Sequence, residues 1–508
     1  MLAMAIARKQ NTPLEDRACG VLLHPTSLPS RWGIGDLGQA ARSFATRLGA
    51  AGQRYWQVLP LNPTTAAADD SPYFSNSSRA GNPLLINLED LAGEGLLDCA
   101  SLQPPLPAGG TAVDFDLARR CKAPLLRAAA ERAQKTRGGD PEFLAFCDRE
   151  GDWLEDHALF TALRAHHGSD WRHWPEDLKR RRPAALQDAR KELAQEVALE
   201  KWLQFLFQHQ WQRLHRHCRD AGVWLFGDMP IYVNIDSADV WSAPAVFKLD
   251  QDLNPIAESG VPPDYFSASG QLWRNPVYDW SQLAATDFDW WRRRLGTLLR
   301  RFDVLRIDHF RGLVQFWEVP AGSETAINGH WEDVPSEAFF SAMARSFDPF
   351  PVVAEDLGTI TPDVHEMRDR FGFPGMIILQ FAFSGDPNNP YLPQHHRENA
   401  LVYLGTHDNN TTRGWLEEDL DEAARQQLET LVTLGDSETS VDALMDLLLS
   451  SPARIAIVSA QDLLGVGAGA RMNTPGVAAG NWRWQLTEAQ FEALPLAALG
   501  QRCRGHGR

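Results

Sequence analysis

Eight short apolar runs, each ending in polar or charged residues, set the strongest limit on how this chain folds. They are GVLLH (20–24), YWQVLPL (55–61), VWLFGDMPI (223–231), DVLRIDH (303–309), PVVAEDLG (351–358), MIILQFAF (376–383), ALVYLGTHD (400–408) and RIAIVSAQDLLG (454–465). Runs this short and this dense in Val, Ile and Leu suit strands covered on both faces, as in a parallel sheet. Helical patterns lie between several of them. In DFDWWRRRLGTLLRRF (287–302), Phe288, Trp291, Leu295, Leu298, Leu299 and Phe302 recur at helical spacing. Thr286 is placed to cap that helix, with Asp289 three residues on. Eight strands alternating with helices predict an α/β fold of the (β/α)8 TIM-barrel type.

The spacing of the runs is uneven. Residues 62–222 are too many for one crossover helix, and 232–285 and 315–340 are further interruptions. These predict inserted, mainly helical subdomains at the C-terminal face of the strands, where barrel enzymes build their active sites. The expected organisation is an N-terminal extension (1–18), a catalytic barrel with its insertions (19–486) and a C-terminal segment (487–508).

Charge narrows the partners. Lys and Arg total 49 against 66 Asp and Glu, a net −17 that repels nucleic acid and anionic lipid and favours neutral or cationic partners. Eighteen tryptophans and 24 phenylalanines supply flat faces that can stack on sugar rings as well as fill a core. The six cysteines are scattered with no Cys-x-x-Cys pair, which suits free thiols in a reducing compartment. The opening MLAMAIARKQ is too short in its apolar part for a signal peptide, and no run approaches the roughly 20 apolar residues of a membrane span. The expectation is a cytoplasmic protein with no membrane partner.

Several motifs carry less than they suggest. GIGDLG (33–38) matches a dinucleotide-binding pattern, but HPTSLPSRW separates it from the preceding strand and no acid stands about 20 residues on. GVGAGA (465–470) fails on the same grounds. In LHRHC, His215, His217 and Cys218 lie on a helical segment where residues two apart do not share a face, so no metal site is expected. KRRRP (179–183) and RRR (292–294) are most simply solvated helix faces.

Three acids resist such readings. Asp308 follows Arg306 by two, so both point the same way on a strand. Glu355 ends VVAE, and Asp408 ends LVYLGTHD. A lone strand-end carboxylate often caps the next helix. Three on one barrel face, beside an arginine and histidines, point to glycoside chemistry, in which one acid attacks and another protonates the leaving oxygen. Arg306 would hold Asp308 ionised, and apolar neighbours would raise the pKa of Glu355.

At these residues the chain resembles a known family. RIDHFRG, AEDLG and THDN are similar to the regions of the α-amylase clan that carry the nucleophile, the acid/base and the transition-state stabiliser. HPTSLPS, YWQVLPLNPT, SPYFSNSSRAGNPLLI, GDMPIYVNIDSADVW, GVPPDYFSASGQLW, RMNTPG and GNWRW resemble, in order from about residue 19 to 486, the amylomaltases (4-α-glucanotransferases, or disproportionating enzymes). The resemblance implies transfer of α-1,4-glucan segments to the 4-hydroxyl of glucose or another glucan, with retention and no cofactor or metal. It implies Asp308 as nucleophile, oriented by Arg306, with Glu355 as acid/base and Asp408 as stabiliser. Ser71, Tyr73, Asp228, Asp264, Phe266, Trp273, Asn275, His309, His407 and Asn473 would line the sugar subsites, and Tyr55 a secondary glucan groove. After GQLW the family usually has Gly-Asn-Pro, whereas this chain has Arg274-Asn275-Pro276. Either the loop runs differently, or the guanidinium reaches a sugar or an acid. An amylase-like hydrolase and a catalytically dead glucan-binding scaffold are the competing readings.

Overall fold

Each of the eight apolar runs supplies one strand. A computed structural model describes residues 12–102, 110, 112–263 and 267–508. The strands are β1 (Ala18–Leu22), β2 (Tyr55–Gln57), β3 (Trp224–Met229), β6 (Val304–Ile307), β9 (Val352–Ala354), β10 (Gly375–Ile378), β11 (Ala400–Tyr403) and β12 (Ile455–Ser459). They pair in parallel in the order β10-β11-β12-β1-β2-β3-β6-β9. The Ala354 N–H donates to the Pro374 carbonyl at 2.9 Å, bringing the ends of that order together and closing the barrel. The strands are nearly all buried along their length, which is why they lack the alternation of a half-exposed sheet. Gly20 is required by this closeness: a Cβ there would lie 2.5 Å from Tyr55 Cβ on the neighbouring strand.

The segment 62–222 is largely helical. Its long helices are Phe115–Arg137, Pro141–His167 and Ala194–Asp220, the first two capped by Asp114 and Asp140 side chains that accept backbone N–H groups. The other two insertions combine into one antiparallel sheet: β4 (Ala257–Val261) and β5 (Gln271–Pro276) from the first, β7 (Gln315–Pro320) and β8 (His330–Asp333) from the second, in the order β5-β4-β7-β8. Within it Glu258 faces Pro276 and Gly260 faces Leu272, so one residue of β4 stands opposite three of β5. That bulge displaces Trp273, Arg274 and Asn275 from the regular ladder, as bulges beside active sites do.

Two local expectations are corrected. The 287–302 pattern forms a helix, Asp289–Arg301, but Phe288 and not Thr286 stands at its cap. Thr286 instead ends the preceding helix, Trp280–Ala285, and the chain turns through Asp287 and Phe288, both at positive φ. The RRR run is not uniformly solvated. Arg294 is 2% exposed and donates to the carbonyls of Ile231 and Pro230 and to the Tyr278 hydroxyl. It falls on the inward stripe with Trp291, Leu295 and Leu298, whereas Arg292 and Arg293 pair with Asp287 and Asp289 outside.

Candidate active site

The ends of β3, β6, β9 and β11 deliver the ionisable groups to one face of the barrel. Arg306, on β6, is 3% exposed and bridges two aspartates. Its Nη1 donates to both oxygens of Asp228 at 2.8 and 2.9 Å, and its Nη2 lies 2.8 Å from Asp308 Oδ1. The next residue, His309, takes a left-handed conformation (φ 51°). That costs a non-glycine residue about 1–2 kcal/mol, and it aims the His309 N–H at Glu355 Oε2, 2.6 Å away. Leu357 N–H donates to the other Glu355 oxygen at 3.0 Å. The turn after β6 thus holds the carboxyl at the end of the neighbouring strand.

A second chain of bonds crosses the site. The Tyr73 hydroxyl donates to Asp228 Oδ2 at 2.6 Å, because a carboxylate can only accept. Its oxygen must then accept from His407 Nε2, 2.8 Å away, which fixes the proton of that imidazole on Nε2. Burial pushes the pKa of His407 down, so the ring is neutral. The two rings stack, centroids 5.4 Å apart, with Trp482 tilted beside both. Asp408 is gripped by the loop that follows β12. Asn473 Nδ2 donates to its Oδ1 at 2.6 Å, Arg471 to its backbone carbonyl at 2.6 Å, and Asn473 N–H to the carbonyl of His407. The turn THDN itself is closed by Asn409 Oδ1, which accepts from the N–H and hydroxyl of Thr406.

Burial raises both central acids, Asp308 to about 8 and Glu355 to about 7, with Arg306 opposing the rise in each. They titrate as a unit that retains a proton near neutrality. Burial alone would leave that proton on Asp308. Contact decides otherwise: the guanidinium touches Asp308 and acts on Glu355 only through space, so the charge rests on Asp308 and the proton on Glu355. His309, pushed down to about 4 by burial and by Arg311, stays neutral.

Most of the residues singled out in the sequence converge here. Ser71, 7% exposed, precedes Tyr73 and accepts its N–H. Trp273 packs edge-on against His309 at 4.7 Å, and Asn275 is buried two residues on. Asp264 and Phe266 lie outside the described residues. Tyr55 does not face a groove. It opens β2 at the opposite end of the barrel, is 2% exposed, and its hydroxyl accepts the Leu14 N–H at 3.1 Å, so no ring face is free for a glucan. Arg274 keeps the positive φ (60°) that a glycine would take, and its Nη1 lies 3.5 Å from Glu258 Oε2, a buried oxygen without a hydrogen bond. The guanidinium reaches an acid. Sequence reasoning gave no role to Arg471, Arg311 or Trp482, although RMNTPG, RIDHFRG and GNWRW contain them.

Glu318, His330 and Glu332 gather ligand atoms within 4.8 Å on the small sheet, as a metal site would. The Lys248 ammonium already stands 2.5 Å from Glu318 and 4.0 Å from Glu332 and supplies the counter-charge. Among the described residues no helix is long and apolar enough to cross a membrane.

Comparison with known proteins identifies the family. A family model described as 4-alpha-glucanotransferase matches residues 23–490. The 4-alpha-glucanotransferase of Thermus thermophilus is 46% identical over 94% of this chain and 96% of its own length. The chloroplastic/amyloplastic 4-alpha-glucanotransferase of Solanum tuberosum is 42% identical over 96% and 85% respectively. The structure of amylomaltase from Streptococcus agalactiae in complex with acarbose superposes with a TM-score of 0.93 at 34% identity, covering 97% of this chain and 99% of that one. Family model, relatives and fold agree: the chain belongs to the 4-alpha-glucanotransferase (amylomaltase) family.

Proposed function

We propose that this glucanotransferase works by double displacement at Asp308, moving an α-1,4-glucan segment from one chain to the 4-hydroxyl of glucose or of another α-1,4-glucan. In the first half-reaction an Asp308 oxygen bonds to C1 of the donor sugar as the C1–O4 bond breaks, and the proton on Glu355 goes to the departing O4. In the second, the acceptor 4-hydroxyl bonds to C1, gives its proton to Glu355, and the ester to Asp308 breaks. Two inversions give retention. Asp408, held from one side by Asn473, grips ring hydroxyls of the distorted sugar, while Tyr73, His407 and His309 supply neutral donors and acceptors around it. We place the reaction in the cytoplasm, the compartment that scattered cysteines favour.

The observation that carries this reading is the contact of Arg306 with Asp308 beside a Glu355 raised toward neutrality by burial, which separates the roles of two neighbouring acids. Incubation with maltotriose tests it. Transfer yields glucose and a ladder of longer maltooligosaccharides with a nearly constant number of reducing ends. Glucose and maltose alone, with reducing ends rising steadily, would instead make the enzyme a hydrolase.

A further inference from the structure

Arg311 is a buried cation that makes no ion pair among the described residues. It is 5% exposed, and among the described residues no carboxylate lies within 4.0 Å; Asp363 acts on it only from farther away. Burying such a group is costly unless fixed dipoles take the place of water. Here its Nη1 donates to the Thr359 carbonyl at 2.7 Å and to the Thr361 hydroxyl at 3.2 Å, and its guanidinium carbon lies 3.8 Å from the ring centroid of Trp331. A planar guanidinium can do both at once, bonding in its plane and stacking on its face.

The partners give this arrangement its meaning. Arg311 stands three residues after Asp308, Thr359 four residues after Glu355, and Trp331 on β8 of the small sheet. One side chain therefore joins the turn behind the nucleophile, the loop behind the acid/base and the inserted wall of the cleft. The same two turns are also laced by backbone bonds, Glu355 N–H to the Ile307 carbonyl at 3.1 Å and Phe310 N–H to the Glu355 carbonyl at 3.0 Å. Those bonds fix the end of β9; just beyond it the Gly358 N–H bonds to Tyr391, and Leu357 and Ile360 pack against the core. Arg311 is the tie that runs from this segment back to the turn after Asp308. A carboxylate would have neutralised it more cheaply, but would have added another negative charge near Asp308, Glu355, Asp228 and Asp408.

We propose that Arg311 is a positioning residue that, by clamping Thr359 and Thr361 and stacking on Trp331, fixes the Glu355 carboxyl against Asp308 for proton transfer. This rests on Glu355 being the acid/base. A misplacement of about 1 Å in a reacting group can cost about 100-fold in rate. The loss should fall on proton transfer, not on attack by Asp308.

A donor that needs no proton separates the two. With maltotriosyl fluoride, the Asp308 ester forms as C1–F breaks and fluoride leaves with the electron pair. With azide as acceptor, the anion bonds to C1 as the ester breaks, and no proton has to be removed. Arg311→Met should lose about 10- to 100-fold in transfer from maltotriose and keep close to wild-type turnover of the fluoride with azide. Arg311→Lys, which keeps the charge but has one donor centre and no flat face, should show the same split to a smaller degree, and it carries the comparison if the methionine variant fails to fold. Equal losses on both donors would overturn the proposal, since general loosening would not distinguish them, and so would no loss on either. Glu355→Gln serves as the control. If it too fails on the fluoride–azide pair, the acid/base reading of Glu355 is what falls; if it is rescued and the Arg311 variants are not, the positioning role falls.

Discussion

Replacing Glu355 by Gln should cripple transfer and, at neutral pH, make the fold more stable. An unfolded glutamate titrates near 4.5, whereas burial lifts Glu355, which holds the pair's proton, to about 7. Between those values the folded protein retains a proton that the unfolded chain has lost, so its stability falls as pH rises through that window and is fully recovered only below the unfolded pKa. In a sealed site each pH unit would cost about 1.4 kcal/mol. Glu355 is only partly buried at the cleft, where solvent screens the charge. We therefore expect the advantage of Glu355→Gln to grow by about 1–2 kcal/mol between about pH 5 and pH 7. Altered hydrogen bonds from the His309 and Leu357 N–H groups add an offset, so the change in the difference is the quantity to measure. Urea denaturation of both proteins across that range gives it. Parallel stability curves, or a variant that falls behind as pH rises, would show that the Glu355 carboxyl stays near its ordinary range and does not hold the proton of the pair.

Other parts of the structure make separate predictions. A Cβ at Gly81 would lie 2.0 Å from the buried ring of Phe207, so Gly81→Ala should cost about 1–3 kcal/mol in chemical denaturation by forcing the helix Ala194–Asp220 outward. Asp303, buried at the base of β6, accepts from His215, Arg219 and the Leu225 N–H, and despite burial these bonds hold its pKa below the usual range. Asp303→Asn should cost about 3–5 kcal/mol above the ordinary carboxylate pKa, with the penalty shrinking as acid protonates the wild-type group, while activity per folded molecule is unchanged. Arg274→Gly should relieve a strained φ and lose a half-exposed ion pair, leaving stability within about 1 kcal/mol of wild type. Its kinetics on maltotriose relative to amylose should not change; a selective rise in KM for maltotriose would show that the guanidinium reaches sugar as well as Glu258.

The barrel was legible because burial on both faces leaves its mark on composition: all eight apolar runs became strands, each ending within a few residues of the polar group it delivers. The four-stranded sheet was not legible. β4 and β8 carry Glu, Ser, Gly, His and Asp, and their partners lie in two insertions separated by a barrel strand, so neither alternation nor a hairpin signal marks them. Asp308, Glu355 and Asp408 stood out because charge at the end of a buried strand is costly. Tyr55 was assigned to a secondary groove by resemblance alone, and its burial under the Leu14 segment is a tertiary contact that a sequence does not display. Arg311 and Arg471 were given no role because they act on backbone carbonyls, which a sequence does not display. Arg294 escaped because three consecutive arginines conceal which of them points inward.

The identity of the nucleophile is the claim on which the mechanism depends. Glu355→Gln, incubated with maltotriosyl fluoride and no acceptor, should form a covalent adduct that survives long enough for proteolysis and mass spectrometry, because the activated leaving group drives the first step while the second lacks its base. The account predicts one maltotriosyl unit per chain, on the peptide containing RIDHFRG and on the Asp308 side chain. A label on Asp408 or Asp228, or fluoride released with no enzyme-bound sugar, would contradict it.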